Sequence, residues 1–203
     1  MKEYLLGRLP SHFQVNQVVR AYIISESFVW AAWNFVIPIL AVFVVDHVKG
    51  GSVQTAASAY SIYLITRVVF ELISGKVLIK TNDRKKYILA VIGIVILSFS
   101  YLFFSISHSV STLLIGYMIA GVGLGLSSPA KNALFSIHIE KNKEATDWSI
   151  SDAVTFGCMA LAATLGGFFE TLYGFSVLFI IASVINLFGA IPFILFIYKK
   201  DWL

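Results

Sequence analysis

The sequence predicts an all-α integral membrane protein, a bundle of six transmembrane helices, and its composition and the spacing of its apolar runs carry that reading. Of the 203 residues, 58% are apolar and only 13% charged, against about 25% charged in an ordinary soluble domain. The mean hydropathy is +0.84. A hydrocarbon core of roughly 30 Å needs about 20 apolar residues of helix, and runs of about that size recur six times. β-Barrel strands would be shorter and would alternate; these runs do neither. Such a composition excludes a soluble enzyme, a disordered tail and a nucleic-acid-binding protein. One cysteine, Cys158, leaves no disulfide framework and no CxxC metal site. The four histidines (His12, His47, His108 and His138) show no ligand spacing, so no metal or cofactor is expected.

The charge-free runs cover 27–45, 50–66, 87–106, 110–130, 153–169 and 171–198. Extended past isolated charges, they predict helices near 17–45, 53–78, 86–107, 110–138, 148–169 and 172–198. Together these form one transmembrane domain over 17–203. Before it, Lys2, Glu3, Arg8, Pro10, Ser11 and His12 interrupt any signal-peptide core. Residues 1–16 are instead expected to form a cytoplasmic or interfacial arm, with Tyr4, Leu5, Leu6 and Leu9 on the headgroups. Three connections are short, at 46–52, near His108 and near Thr171. The other two, 79–85 and 140–146, carry the charge. Thr146, Asp147 and Ser149 offer N-caps for the fifth helix.

Orientation follows from the basic residues. Lys2, Arg8, Arg20, Lys76, Lys80, Arg84, Lys85, Lys86, Lys141, Lys143, Lys199 and Lys200 all fall on one side of this topology, against Lys49 alone on the other. Lys or Arg in short loops stays on the cytoplasmic side. Both termini are therefore expected in the cytoplasm of a multi-pass plasma or inner-membrane protein.

Between the second and third helices the chain reads Gly75-Lys76-Val77-Leu78-Ile79-Lys80-Thr81-Asn82-Asp83-Arg84-Lys85-Lys86. This resembles the Gly-x-x-x-Asp-Arg/Lys-x-Gly-Arg-Arg/Lys loop of the major facilitator superfamily. Ile79 stands for the family's aspartate, with Asp83 nearby, and Asn82 stands for a glycine, as a residue that tolerates the left-handed region. Gly121-Val122-Gly123-Leu124-Gly125 resembles the family's fourth helix, with Tyr117 in place of its arginine. Gly166-Gly167 resembles the end of its antiporter signature, where Ala162-Ala163 replaces Gly-Pro. Tyr173-Gly174-Phe175 resembles its turn into helix six, with Ser176 in place of arginine.

The resemblance spans nearly the whole chain and implies the amino-terminal six-helix half of a twelve-helix fold, built as a 3+3 inverted repeat. Pro38 to Gly75 and Pro129 to Gly166 share a spacing of 37, and His47 and His138 share their offset of 91. Few other positions follow it.

Ionisable groups inside spans are expensive and mark function by default. Glu26, Trp30 and Asn34 stand at i, i+4 and i+8 on one face of the first helix. The resemblance implies that this face lines a central cavity. A carboxylate taken out of water can carry a proton, but Glu26 could equally pair with a basic neighbour. Arg67 and Glu71 lie four apart on the second helix. Arg67 either holds substrate or gates the cavity, or it is held by Glu71 or Glu26, and the local ion pair is favoured. Tyr60, Tyr63 and Gln54 could share that cavity, although the rotation of the helix is not fixed by sequence.

Glu26, Trp30, Asn34 and Arg67 are thus the candidate substrate- or ion-binding residues. Glu71, Gly75, Lys80, Arg84, Lys131 and Asp152 are the candidate inner gate. Lys131 is expected to snorkel to the headgroups, and Asp152 to favour a helix N-terminus or to pair with Lys131. No HExxH, Ser-His-Asp pattern or phosphate loop supports an enzyme. The expected function is a half-size transporter of a small solute, working as a parallel homodimer by rocking-bundle alternating access. The alternatives are a membrane scaffold that binds a partner, or a truncated half of a longer transporter.

Overall fold

Each of the first four helices begins where a small polar side chain takes up an otherwise unpaired amide of the first turn. A computed structural model describes residues 15–198; the arm expected over 1–16 lies almost wholly outside the described residues. Asn16 caps α1 (Gln17–His47) by accepting from the Val19 N–H. Ser52 caps α2 (Val53–Val77) through Thr55, and Asn82 caps α3 (Asp83–Ser105) through Lys85. Ser109 opens α4 (Val110–His138) in a reciprocal capping box with Thr112. These bounds agree with the sequence expectation, except that α3 starts three residues earlier.

Asn82 is extended (φ −75°, ψ 165°), with its side chain engaged as a cap. The left-handed residue of this loop is Lys80 (φ 54°), so the expectation of a left-handed Asn82 is corrected. The glycine site of the loop motif has become a capping site.

α5 (Glu144–Phe188) departs furthest from expectation. It starts after Lys143 with no side-chain cap, ahead of Thr146, Asp147 and Ser149. Asp147 is buried and accepts instead from the Glu140 N–H, at 3.4 Å. At 1.5 Å per residue, 45 residues make a rod of about 68 Å, twice a hydrocarbon core. The rod is broken at Gly174 (φ 75°, ψ 172°), a conformation that a side chain would strain. Thr171, where a turn was expected, is still helical and donates to the Gly167 carbonyl at 2.9 Å.

The contacts of the two limbs run in opposite directions along α1. Before Gly174, Trp148 packs on Phe135 of α4, which itself packs on Tyr22 of α1, and further along Gly166 abuts the Phe35 carbonyl and Phe169 packs on Phe35. After it, Phe175 packs on His47 and Phe43, and Phe188 on Phe28. A break at Gly189 and Ala190 then leads into α6 (Ile191–Tyr198). Among the described residues, five helical stretches are long and apolar enough to cross a membrane: α1 to α4, and 144–198 taken together. α1 starts and α6 ends on what we term the terminal face of the bundle. On the far face the Lys49 N–H donates to the His108 carbonyl at 3.0 Å and so joins two short loops.

Apolar helices in lipid gain little by hiding from it, so association depends on close packing and hydrogen bonds. α4 provides the close packing. A Cβ on Gly123 would lie 2.6 Å from the Leu97 nitrogen of α3 and 2.8 Å from the Gly93 carbonyl. On the other side, Cβ atoms on Gly121 and Gly125 would press on the backbone of Tyr63 and Arg67 in α2, at 2.7 and 2.8 Å. The motif glycines thus let α4 lie against two helices at backbone distance.

Hydrogen bonds finish the assembly. Asn186 donates to Ser98 Oγ (2.7 Å) and to the Ile94 carbonyl (2.8 Å), and Ser183 donates to the Ser98 carbonyl (3.0 Å). These join the second limb of α5 to α3. Gly75 differs from the α4 glycines: among the described residues nothing beyond its own stretch of helix comes within 4 Å of its Cβ position.

Two glycine substitutions should therefore behave oppositely. Gly123→Val should lower stability by about 1–3 kcal/mol or more through overpacking. Gly75→Ala should leave it unchanged or raise it by about 0.5–1 kcal/mol. Thermal unfolding of the two purified variants in one detergent measures both effects; equal losses would refute the packing assignment.

Candidate functional site

The face predicted on α1 is present and is organised around one carboxylate. Glu26 Oε2 accepts from the Trp30 indole N–H at 2.8 Å. Glu26 Oε1 forms an ion pair with Nζ of Lys131 on α4. Asn34, one turn further, turns its amide back onto the Trp30 carbonyl at 2.9 Å. Lys131 does not snorkel: it is 1% exposed. Nor is Asp152 its partner. Asp152 is exposed on α5, and Glu26 takes the ammonium instead.

The physical reason is the way α1 lies antiparallel to α4 on the terminal side. Tyr22 OH donates to Asn132 Oδ1 at 3.1 Å, and Asn16 donates to the His138 carbonyl. With Glu26 and Lys131 between them and the membrane interior, these contacts form a polar seam. The Tyr22 and Phe135 rings close its apolar side, with centroids 4.3 Å apart. A lysine facing this seam is surrounded by helices and has no path to the headgroups.

Arg67 takes the local partner. Its Nε meets Glu71 Oε1 at 2.8 Å, and its Nη1 donates to Tyr63 OH at 3.1 Å. Tyr63, Arg67 and Glu71 thus form an i, i+4, i+8 stripe on α2. The Tyr63 ring lies 4.9 Å from Trp33 of α1 and 5.4 Å from Tyr60, which brings the α2 stripe beside the α1 face. The repeated spacing of four was visible in the sequence, but Tyr63 as a ligand of Arg67 was not singled out there. The Arg67 and Glu71 side chains remain 24% and 35% exposed. This pair is half open, whereas Glu26–Lys131 is closed.

The remaining gate candidates are not brought together. Lys80 and Arg84 are exposed, and Gly75 borders open space. The ionic contacts of this loop belong to Asp83, which pairs with Lys86 Nζ at 2.9 Å and faces His138 Nε2 at 3.3 Å. His138 Nδ1 lies 2.9 Å from the Leu134 carbonyl. Asp83 therefore links the start of α3 to the end of α4, near where the motif aspartate would have stood.

A buried ion pair is dangerous to break, because the surviving charge has no water. Glu26→Gln should cost about 3–5 kcal/mol by stranding the Lys131 ammonium, and Lys131→Met added to it should recover most of the loss. Arg67→Gln, at a half-exposed pair, should cost no more than about 1 kcal/mol. Thermal stability of the four variants tests this ranking; recovery of Glu26→Gln by Arg67→Gln instead would assign the pairing wrongly.

Two close-packed helix pairs on a glycine-bearing α4, a basic loop after α2 and ionisable side chains inside the apolar helices describe a multi-pass membrane bundle. The family model described as the Major Facilitator Superfamily matches residues 22–201. The match runs from the Tyr22 seam of α1 past the end of α6 and takes in every candidate residue named above. The chain belongs to the major facilitator superfamily.

Proposed function

We propose that this protein is a secondary transporter of a small solute, in which the Glu26, Trp30 and Asn34 face of α1 and the Tyr63, Arg67 and Glu71 stripe of α2 line the substrate path. The observation that carries the reading is the closed Glu26–Lys131 pair. Ionisable side chains at membrane depth are expensive and mark function by default, and a transporter can exchange one partner of such a pair for a proton or a substrate charge. Family membership supports transport as the class of activity.

In this reading the chain crosses the membrane six times, with the terminal face in the cytoplasm. The opposed contacts of the two α5 limbs and the twelve basic residues on one side support it. Contacts also support the inverted repeat. Gly166 of α5 meets the Phe35 carbonyl of α1, and Ser74 of α2 donates to the Leu126 carbonyl of α4 at 3.1 Å; residues 35 and 126 stand 91 apart, the offset that relates Pro38 to Pro129, and residues 74 and 166 stand 92 apart. A parallel homodimer, its axis along the membrane normal, would cover the half-open Arg67–Glu71 pair and supply the second half of a cavity. The inner gate would then lie among Glu71, Gly75, Lys80, Arg84, Lys131 and Asp152.

A second reading has one observation in its favour. Both carboxylate oxygens of Glu26 are already engaged, by Trp30 and Lys131, as in a purely structural pair within a partner-binding subunit.

Single cysteines at Ser52 and His108 should react with an impermeant maleimide from outside intact cells, and those at Thr81 and Asn142 should not. The reverse pattern would refute the orientation. Native mass spectrometry in mild detergent should show a dimer. A thermal-shift panel of amino acids, sugars, nucleosides and cationic drugs should yield a stabilising class whose effect disappears in Asn34→Ala and Trp30→Phe. A shift that survives both substitutions would displace the site, and no shift from any class would favour the scaffold.

A further inference from the structure

We propose that the groove between the first half of α1 and the α5–α6 break is a binding slot for one acyl chain of an anionic phospholipid, with its phosphate held by Arg20. The groove encloses about 490 Å³, within the range of small-molecule sites. Ala21, Ile24 and Phe28 form one wall, and Phe188, Ile191 and Leu195 the other. The first set repeats every three or four residues and is one stripe of α1; the second joins the last residue of α5 to two residues of α6 across the break.

The break at Gly189 and Ala190 makes the space. Gly189 lies against α1, where its Cβ position is 3.0 Å from Val29 and 3.1 Å from the Ser25 carbonyl. Pro192 has no N–H with which to continue the preceding helix. The chain therefore touches α1 at Gly189 and leaves the groove beside it as α6 starts anew.

The groove is graded in polarity along its length. Towards the membrane interior it is closed by Phe28 and Phe188, whose rings stand 5.8 Å apart. At the terminal face it opens between Gln17 and Arg20 on one side and Phe196 on the other. From residue 17 to residue 28 the α1 stripe rises about 16 Å, roughly half of a hydrocarbon core. A blind apolar slot of that length, with one exposed guanidinium at headgroup depth, complements an acyl chain under a phosphate. Guanidinium forks favour phosphate geometry, and an anionic headgroup adds attraction that a zwitterionic one lacks. Neither the transport reading nor the dimer is needed for this slot.

The test uses the purified full chain in native mass spectrometry with added palmitoyl-oleoyl phosphatidylglycerol or phosphatidylcholine. The wild type should retain one phosphatidylglycerol in preference to phosphatidylcholine. Arg20→Gln should weaken that preference about fivefold, the worth of one basic residue near a membrane surface, and leave phosphatidylcholine binding unchanged. Ile24→Trp, which fills the slot, should lose both lipids with its melting temperature kept. Retention of lipid by a folded Ile24→Trp protein, or no headgroup preference in the wild type, would overturn the proposal. So would lipid binding that emerges only after residues 2–14 are removed, which would make the amino-terminal arm the occupant. Cross-linking of two copies through Ile24→Cys would do the same in favour of a second chain.

Discussion

The register of α1 on α4 is fixed by a charge that has nowhere else to go. Lys131 is buried among helices, and an ammonium there is tolerable only against a carboxylate. Glu26 is the acidic residue in the body of α1. A one-residue rotation of either helix would separate them. The neighbouring Tyr22–Asn132 and Asn16–His138 contacts follow from the same alignment. α1 brings the first limb of α5 with it, because Gly166 sits against its backbone. α4 brings α2 and α3 through its glycines. The two halves of the bundle are thus positioned by one electrostatic requirement and a set of missing side chains.

This division of labour suits a membrane. Packing through glycines is tight but carries little directional information; hydrogen bonds and ion pairs carry much more. The tight contacts lie within each half of the bundle, α4 with α2 and α3, and α1 with α5. Polar contacts also join the halves, at the α1–α4 seam and where Asn186 and Ser183 reach α3, while Ser74–Leu126 and Asp83–His138 lie within one half. A seam of polar contacts is easier to exchange for others than an interlocked backbone.

The local features were legible in the sequence and the long-range ones were not. Four helices follow from their apolar runs, and the Arg67–Glu71 pair follows from a spacing of four. Each depends on residues within one or two turns. The Asn and Ser caps that open those helices were not read, and the caps expected at Thr146, Asp147 and Ser149 do not open α5. The partner of Lys131 depends on how α1 and α4 are rotated, which no spacing encodes, so the snorkelling expectation failed. Asn82 was read as a left-handed turn residue because a glycine stands there in the motif, yet Asn is also a strong N-cap and the cap prevailed. At α5 the turn was placed by the apolar pattern near Thr171. The backbone turns instead at the next glycine, since Gly174 adopts φ 75° without strain. That Glu26, Trp30 and Asn34 share one face of α1 follows from their spacing of four; which oxygen of Glu26 meets which neighbour needed three dimensions.

The Gly174 reversal has a consequence for how the molecule meets its surroundings. A helix that turns back at a single residue leaves no loop behind, and the other two far-face connections are the few residues between His47 and Val53 and between Ser105 and Val110. The first of these is fastened to the second by the Lys49–His108 hydrogen bond. That face therefore offers almost nothing for a protease to cut or an antibody to grip. Among the described residues the connections on the opposite side, 78–82 and 139–143, are about as short as the one between His47 and Val53, and differ in carrying the charge of Lys80, Glu140, Lys141 and Lys143.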